Sequence, residues 1–132
     1  MAETQNLRGL NDFLEFLCHK YNVDRTQLFL EYSPRRPPSL KGGKRGYYDG
    51  LLSHRERNGQ VEFLITVFKA AQNPLLTLGH EFAHLVDDLR SGNVGKPLGP
   101  PNDTRESRFD QLAARDLDEF LRQKKIDRSK AS

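Results

Sequence analysis

The sequence predicts an α+β fold in one domain spanning residues 1–132, with an N-terminal helix, a small three-stranded, mainly antiparallel sheet and two C-terminal helices. Three observations carry this prediction. Apolar residues recur at three- and four-residue spacing in 7–21 and again in 75–89. β-branched and aromatic residues concentrate between these segments, where an Asn-Gly dipeptide separates two predicted strands. A chain of 132 residues has the length of a single domain, so no second domain is expected.

The first third of the chain predicts one helix, one strand and a loop. Residues 5–22 form an amphipathic helix, and residues 27–33 have the aromatic and aliphatic character of a short strand. The strand stops at the Pro/Gly-rich segment 34–46, because proline lacks a backbone N–H and neither a helix nor a central strand continues through it. The apolar residues of the helix are Leu7, Leu10, Phe13, Leu14, Leu17 and Tyr21.

A β-hairpin is predicted next. Residues 46–57 and 60–68 flank Asn58-Gly59, the dipeptide that best suits a two-residue type I′ turn. Together with the earlier strand, the hairpin completes a sheet of three strands.

Two helices follow the hairpin. Asn73-Pro74 predicts a helix start, because asparagine caps the free N–H groups and proline is tolerated in the first turn. That helix ends near Gly92, a common C-terminal signal, and residues 91–102 form a loop. A last helix is predicted over 103–120, followed by a basic C-terminal tail at 122–132.

Composition narrows the classes of function. Hydrophobic residues make up 36% of the chain and charged residues 30%, and no segment approaches the roughly 18 apolar residues of a membrane span. A single cysteine, Cys18, permits no internal disulfide, which favours a reducing compartment and predicts a cytoplasmic protein without a membrane partner. The net charge of +3 comes with two basic segments, 35–45 and 122–130, which keep a nucleic-acid-associated protein as an alternative.

The chemistry is carried by residues 80–84, which read H-E-x-x-H. Histidines four apart on a helix point to the same side, so His80 and His84 can bind one zinc ion. Glu81 is then placed as a general base that takes a proton from zinc-bound water. These residues share a polar stripe opposite the apolar face of the helix, together with Thr77, Asp87 and Asp88.

A third ligand is predicted on the last helix. A catalytic zinc site needs three protein ligands and one open position, and Glu106 can supply the third. Asp110, four residues later, can accept a hydrogen bond from the other ring N–H of a zinc-binding histidine. The alternative is that Glu106 forms a capping box with Asp103 and that Asp110 is ordinary helix surface.

The motif H-E-x-x-H followed about twenty residues later by E-x-x-x-D resembles the gluzincin clan of zinc metallopeptidases, and the short order of elements resembles its smallest members, the minigluzincins. This resemblance implies zinc-dependent hydrolysis of a peptide or protein substrate that lies along the edge strand of the sheet. Since 61–68 is the strand nearest before the motif, Phe63-Leu64-Ile65-Thr66 is the predicted edge.

One departure from the gluzincin pattern concerns the group that would stabilise the oxyanion of the reaction. Larger gluzincins place a His or Tyr after the third ligand, and this chain has neither beyond His84. The enzyme is therefore expected to be slow or latent, with the loop or the tail covering the zinc, and a non-catalytic zinc-binding module that regulates or binds peptides remains an alternative. Candidate replacements are Arg105, Arg108, Tyr47, Tyr48 and His54.

Overall fold

The computed structural model describes residues 2–35, 48–92 and 103–131, and the side chains within 7–35, 48–92 and 106–127. It has the predicted α+β class and the predicted order of elements. The elements are α1 (Ala2–Tyr21), a short 3-10 turn (Arg25–Gln27), β1 (Leu28–Ser33), β2 (Gly50–Arg57), β3 (Gln60–Phe68), α2 (Pro74–Ser91) and α3 (Asp103–Ala131). The Pro/Gly-rich segment predicted at 34–46 lies almost entirely outside the described residues.

The sheet is mixed, which corrects the prediction of a mainly antiparallel one. The strand order is β1-β3-β2, with β2 antiparallel and β1 parallel to β3. The predicted hairpin is confirmed, and Asn58 and Gly59 both have the positive φ of a type I′ turn. The hairpin occupies one side of β3, so β1 pairs with the other side.

The central position of β3 corrects the predicted substrate edge. Phe63–Thr66 cannot form an open edge, because β3 is hydrogen-bonded to a strand on each side. β3 is buried over much of its length, as expected for a central strand, and its Ile65 and Val67 are fully enclosed. Within the described part of the chain, the open edges of the sheet belong to β1 and β2.

The core lies between the sheet and the three helices. Apolar side chains of α1, α2 and β3 form most of it, as the spacing of the apolar residues predicts. Gly79 on α2 lets α3 come close, because a Cβ atom there would lie 2.9 Å from the Cβ of Ala113. Because Gly79 precedes His80, this close contact brings the first turns of α3 next to the polar stripe that carries the two histidines. Fully buried members of the core include Leu10, Phe13, Leu14, Leu28, Ile65, Val67, Leu78 and Leu85.

Helix α3 continues to Ala131, so the prediction that the chain frays into a basic tail after Phe120 is wrong. Its second half runs antiparallel to α1, with Lys124 Nζ 3.0 Å from an Asp12 carboxylate oxygen. The ring of Phe120 lies 5.0 Å from that of Phe13. These contacts supply the packing that a strongly polar helix lacks by itself. They also carry the C-terminal segment along α1, away from the histidines. No helix among the described residues has the length and apolar character needed to cross a membrane.

Candidate metal centre

Helix α2 presents the H-E-x-x-H motif in the predicted way. Asn73 caps the helix by accepting a hydrogen bond from the backbone N–H of Leu76 at 3.2 Å, and Pro74 occupies the first turn. The helix continues without interruption to Ser91, so residues 80 and 84 stand one turn apart on one side. The opposite face, which carries Leu78, Phe82 and Leu85, is buried in the core. Burial of that face therefore fixes the direction in which the histidines point.

The structure brings His80, His84 and Glu106 together. The two Nε2 atoms lie 3.2 Å apart, and an oxygen of Glu106 lies 3.2 Å from His84 Nε2 and another 2.6 Å from His80 Nε2. Two ligand atoms bound about 2.1 Å from one tetrahedral zinc ion lie roughly 3.4 Å apart, so two of the three separations suit a shared ion. The third is shorter by more than half an ångström, and binding would require a small rotation of the Glu106 carboxylate.

The short distances between these ligand atoms also indicate that a positive charge belongs among them. Imidazole lone pairs and carboxylate oxygens are all acceptors, and acceptors approach this closely only when a proton or a metal cation lies between them. Within the described ranges, this group of His80, His84 and Glu106 offers three ligand atoms within 4.8 Å of one another. The donor set of two nitrogens and one oxygen is the type used by catalytic zinc sites.

Asp110 contacts the group from the opposite side of an imidazole. One of its carboxylate oxygens lies 2.7 Å from His80 Nδ1, which makes Nδ1 the donor; in a neutral ring the lone pair is then on Nε2, the atom that faces Glu106. This is the arrangement predicted for Asp110, because an aspartate at this nitrogen fixes the tautomer and the orientation of the ring. The capping alternative for Glu106 involves the side chain of Asp103, which lies outside the described side chains.

Glu81 lies on α2, and its partly buried side chain is next to the start of β2. Burial raises the pKa of its carboxyl to about 7; the nearby Glu106 also raises this pKa, while His80 opposes the shift. A Cβ atom added to Gly50 would lie 3.2 Å from Glu81 Cγ, so this glycine is what lets the strand approach the glutamate. Gly50 was not among the residues predicted from the sequence, although a glycine inside a predicted strand, here 46–57, is a known sign of close approach by another segment.

Phe109 is the other residue of the site that was not predicted from the sequence. It lies on α3 between Glu106 and Asp110, and its ring packs against the rings of both His80 and His84. The sequence signal that could have identified Phe109 is its position three residues after Glu106, because residues three and four apart share a face of a helix.

The residues predicted as candidates for stabilising the oxyanion lie in different parts of the structure. The guanidinium of Arg108 lies over the ring of Phe109 at 5.4 Å and within 3.9 Å of Asp87, with the side chain 66% exposed. His54 is exposed and lies four residues beyond Gly50 on β2, which corresponds to about 13 Å along a strand. Tyr48 precedes β2 and is half-exposed. Tyr47 and the side chain of Arg105 lie outside the described part of the structure.

The basic C-terminal segment is largely paired with the chain's own acidic groups where its side chains are described. Lys124 pairs with Asp12, and Arg122 Nη2 lies 3.0 Å from an Asp118 oxygen. These pairs reduce the positive charge available to a phosphate backbone. The other basic segment, 35–45, lies almost wholly outside the described residues.

Comparisons with protein-family models, with curated proteins and with solved structures found no match to this chain. The resemblance to gluzincins and minigluzincins therefore stays a prediction that depends on the motif residues.

Proposed function

We propose that this chain is a zinc-dependent peptidase in which His80, His84 and Glu106 bind one Zn²⁺ ion and Glu81 is the catalytic base. The observation that carries the proposal is the convergence of the three ligand atoms, with the two histidine Nε2 atoms 3.2 Å apart and both close to Glu106. The hydrogen bond between His80 Nδ1 and Asp110 supports it, because metal-binding histidines almost always donate their second ring N–H to such a partner.

Zinc suits this donor set better than magnesium or calcium. Magnesium and calcium prefer sites made entirely of oxygen, whereas imidazole nitrogen is a common ligand of zinc. Three protein ligands leave one position of a tetrahedral ion open. The side chains of His80 and His84 are 18% and 14% exposed and that of Glu106 is 43% exposed, so the group is accessible from one side.

Each residue has a distinct part in the proposed reaction. Zinc, when bound, acts as a Lewis acid that lowers the pKa of water and polarises a carbonyl group. Glu81 accepts a proton from the attacking water and passes it to the leaving amine. Burial raises the pKa of this carboxyl in the metal-free protein, and a buried carboxylate is a stronger base than an exposed one. Asp110, by accepting from Nδ1, favours the tautomer of His80 whose Nε2 lone pair is available to a metal ion.

Among the described residues no strand pairs with the outer edge of β2, and this edge offers a binding surface for an extended peptide. The backbone N–H of Phe68 donates to the carbonyl of Asp49 at 2.9 Å, so odd-numbered residues of β2 pair with β3. The even-numbered residues, beginning with Gly50, then direct their N–H and C=O groups to the open edge. A peptide paired there would pass beside Glu81, which supports β2 as the substrate edge in place of the predicted β3.

The proposal is tested by metal analysis and by one isosteric substitution. Purified protein should contain about one zinc ion per chain, and His80→Ala or His84→Ala should lose it. His54→Ala is the matched control, because His54 is an exposed histidine on β2 and should leave the zinc content unchanged. Glu81→Gln should retain zinc and fold but lose hydrolysis of denatured casein, since glutamine is similar in size and cannot accept the proton.

Two results would contradict the proposal, one for the metal site and one for the peptidase activity. Folded wild-type protein that takes up no zinc would exclude the metal site. Protein that binds zinc through both histidines but cleaves nothing would exclude the peptidase and favour the non-catalytic zinc-binding module.

A further inference from the structure

The ring of Phe109 forms one wall of the histidine group. Its centroid lies 4.5 Å from that of His84 with the rings at 64°, and 6.1 Å from that of His80 with the rings at 85°. The side chain is 3% exposed, so it is part of the interior. A single aromatic side chain thus contacts both imidazoles of the motif with its ring edge-on or steeply tilted, a favourable geometry for aromatic pairs.

Phe109 and Asp110 follow Glu106 by three and four residues, so both lie on the side of α3 that carries Glu106. Each contacts the histidine group differently. Glu106 approaches the Nε2 atoms, Asp110 holds the Nδ1 atom of His80, and Phe109 packs against the rings themselves. A hydrogen bond fixes the tautomer and one direction of a ring, whereas packing limits its rotation. Rotation about the last side-chain torsion of histidine is otherwise broad.

We propose that Phe109 is a positioning residue of the zinc site, holding both imidazoles in the rotamers that direct their Nε2 atoms towards Glu106. This inference rests on the proposed function. Orientation before binding matters because a site that must order its ligands when the metal arrives loses that free energy from its affinity. Phe109 also supplies an apolar surface beside the histidines, and such a surface limits access of solvent to a metal site.

The experiment compares Phe109→Leu with Phe120→Leu. Both phenylalanines lie on α3 and both are buried, Phe120 being 6% exposed, but Phe120 packs on Phe13 and Phe16 of α1. Each substitution removes one buried ring, so both are expected to lower the stability of the metal-free protein. Only Phe109→Leu should weaken zinc affinity, by about 10- to 100-fold, as for other residues that orient metal ligands.

Cobalt(II) provides a readout that a purely structural role would not change. The visible absorption of Co²⁺ reports the arrangement of its ligands, so Phe109→Leu should alter the spectrum of the cobalt-loaded protein and Phe120→Leu should reproduce that of the wild type. If Phe109→Leu does not fold, Phe109→Met is measured in the same way, because its flexible side chain refills much of the space.

The outcomes separate this inference from the proposed function. Wild-type protein that binds neither zinc nor cobalt would exclude the metal site itself. If the wild type binds both metals, and the Phe109 and Phe120 variants bind zinc equally with the wild-type cobalt spectrum, the positioning role of Phe109 is overturned while the site stands.

Discussion

Replacing Gly50 with alanine tests the contact on which the position of Glu81 depends. A Cβ atom at residue 50 would lie 2.6 Å from Thr77 Cγ2, 3.0 Å from the backbone carbonyl oxygen of Thr66 and 3.2 Å from Glu81 Cγ. The first of these distances is well inside van der Waals contact, and the second involves backbone that belongs to the central strand. Alanine at this position therefore requires a shift of the Thr77 side chain, or of α2 that carries it, and a smaller adjustment between β2 and β3.

The cost follows from two opposing effects. Inserting a methyl group into a packed interior typically costs about 1–3 kcal/mol. Replacing glycine also restricts the unfolded chain, which returns about 0.4–1 kcal/mol when the backbone conformation is allowed. Gly50→Ala should therefore lower the free energy of unfolding by up to about 2.6 kcal/mol, with about 1 kcal/mol as the central expectation.

Urea unfolding of the metal-free protein measures this change, with Gly9→Ala as the matched control. Gly9 lies inside α1, and among the described residues no atom outside the adjoining helix backbone lies within 4 Å of the position of its added Cβ. Alanine is the better helix former by about 1 kcal/mol, so Gly9→Ala should stabilise the protein. The same substitution is thus expected to act with opposite signs at the two positions, and in the Gly50 variant displacement of Glu81 should also reduce peptide hydrolysis.

A second substitution identifies the cause. Thr77→Ser removes the methyl group nearest to the added Cβ but keeps the hydroxyl that donates to the carbonyl of Asn73 at 3.2 Å. Combined with Gly50→Ala it should recover part of the loss, with a coupling energy of about 0.5–1 kcal/mol. The contact with the Thr66 backbone remains, so recovery is partial. A Gly50→Ala protein as stable as the wild type, or strictly additive effects of the two changes, would refute the reasoning.

The remaining predictions concern the ligand set and the packing of α3. Glu106→Gln should weaken zinc binding most, because a neutral amide replaces a charged ligand, whereas Asp110→Asn should cost about 10- to 100-fold and Asp87→Asn should have no effect. Competition with a chromogenic chelator measures all three, and zinc loss from the Asp87 variant alone would exclude the proposed ligands. Asp116, 3% exposed, accepts hydrogen bonds from two side chains of α1 at 2.7 and 2.6 Å. Asp116→Ala should lower the unfolding free energy by about 1–3 kcal/mol, and an unchanged denaturation midpoint would contradict this role.

The sequence alone sufficed for features that depend on neighbouring residues. Asn73-Pro74 marked the start of α2, and the four-residue spacing placed His80 and His84 on one side of it. Asn58-Gly59 marked the hairpin, because the turn conformation is a property of those two residues. Glu106 was also predicted to lie with the histidines, because a catalytic zinc site needs a third protein ligand and the last helix offers this carboxylate.

The tertiary structure decided what depends on distant segments. The parallel pairing of β1 with β3 gave β3 its central position. The alternation of apolar and polar residues within one strand does not determine which strands lie beside it. Helix α3 extends past Phe120 because it packs along α1. The polar composition of this segment, taken alone, predicted a frayed end. Gly50 and Phe109 became visible as parts of the site only when β2 and α3 were brought against α2. Local sequence specifies conformation over a few residues, but which surfaces meet depends on the burial of apolar area across the whole chain.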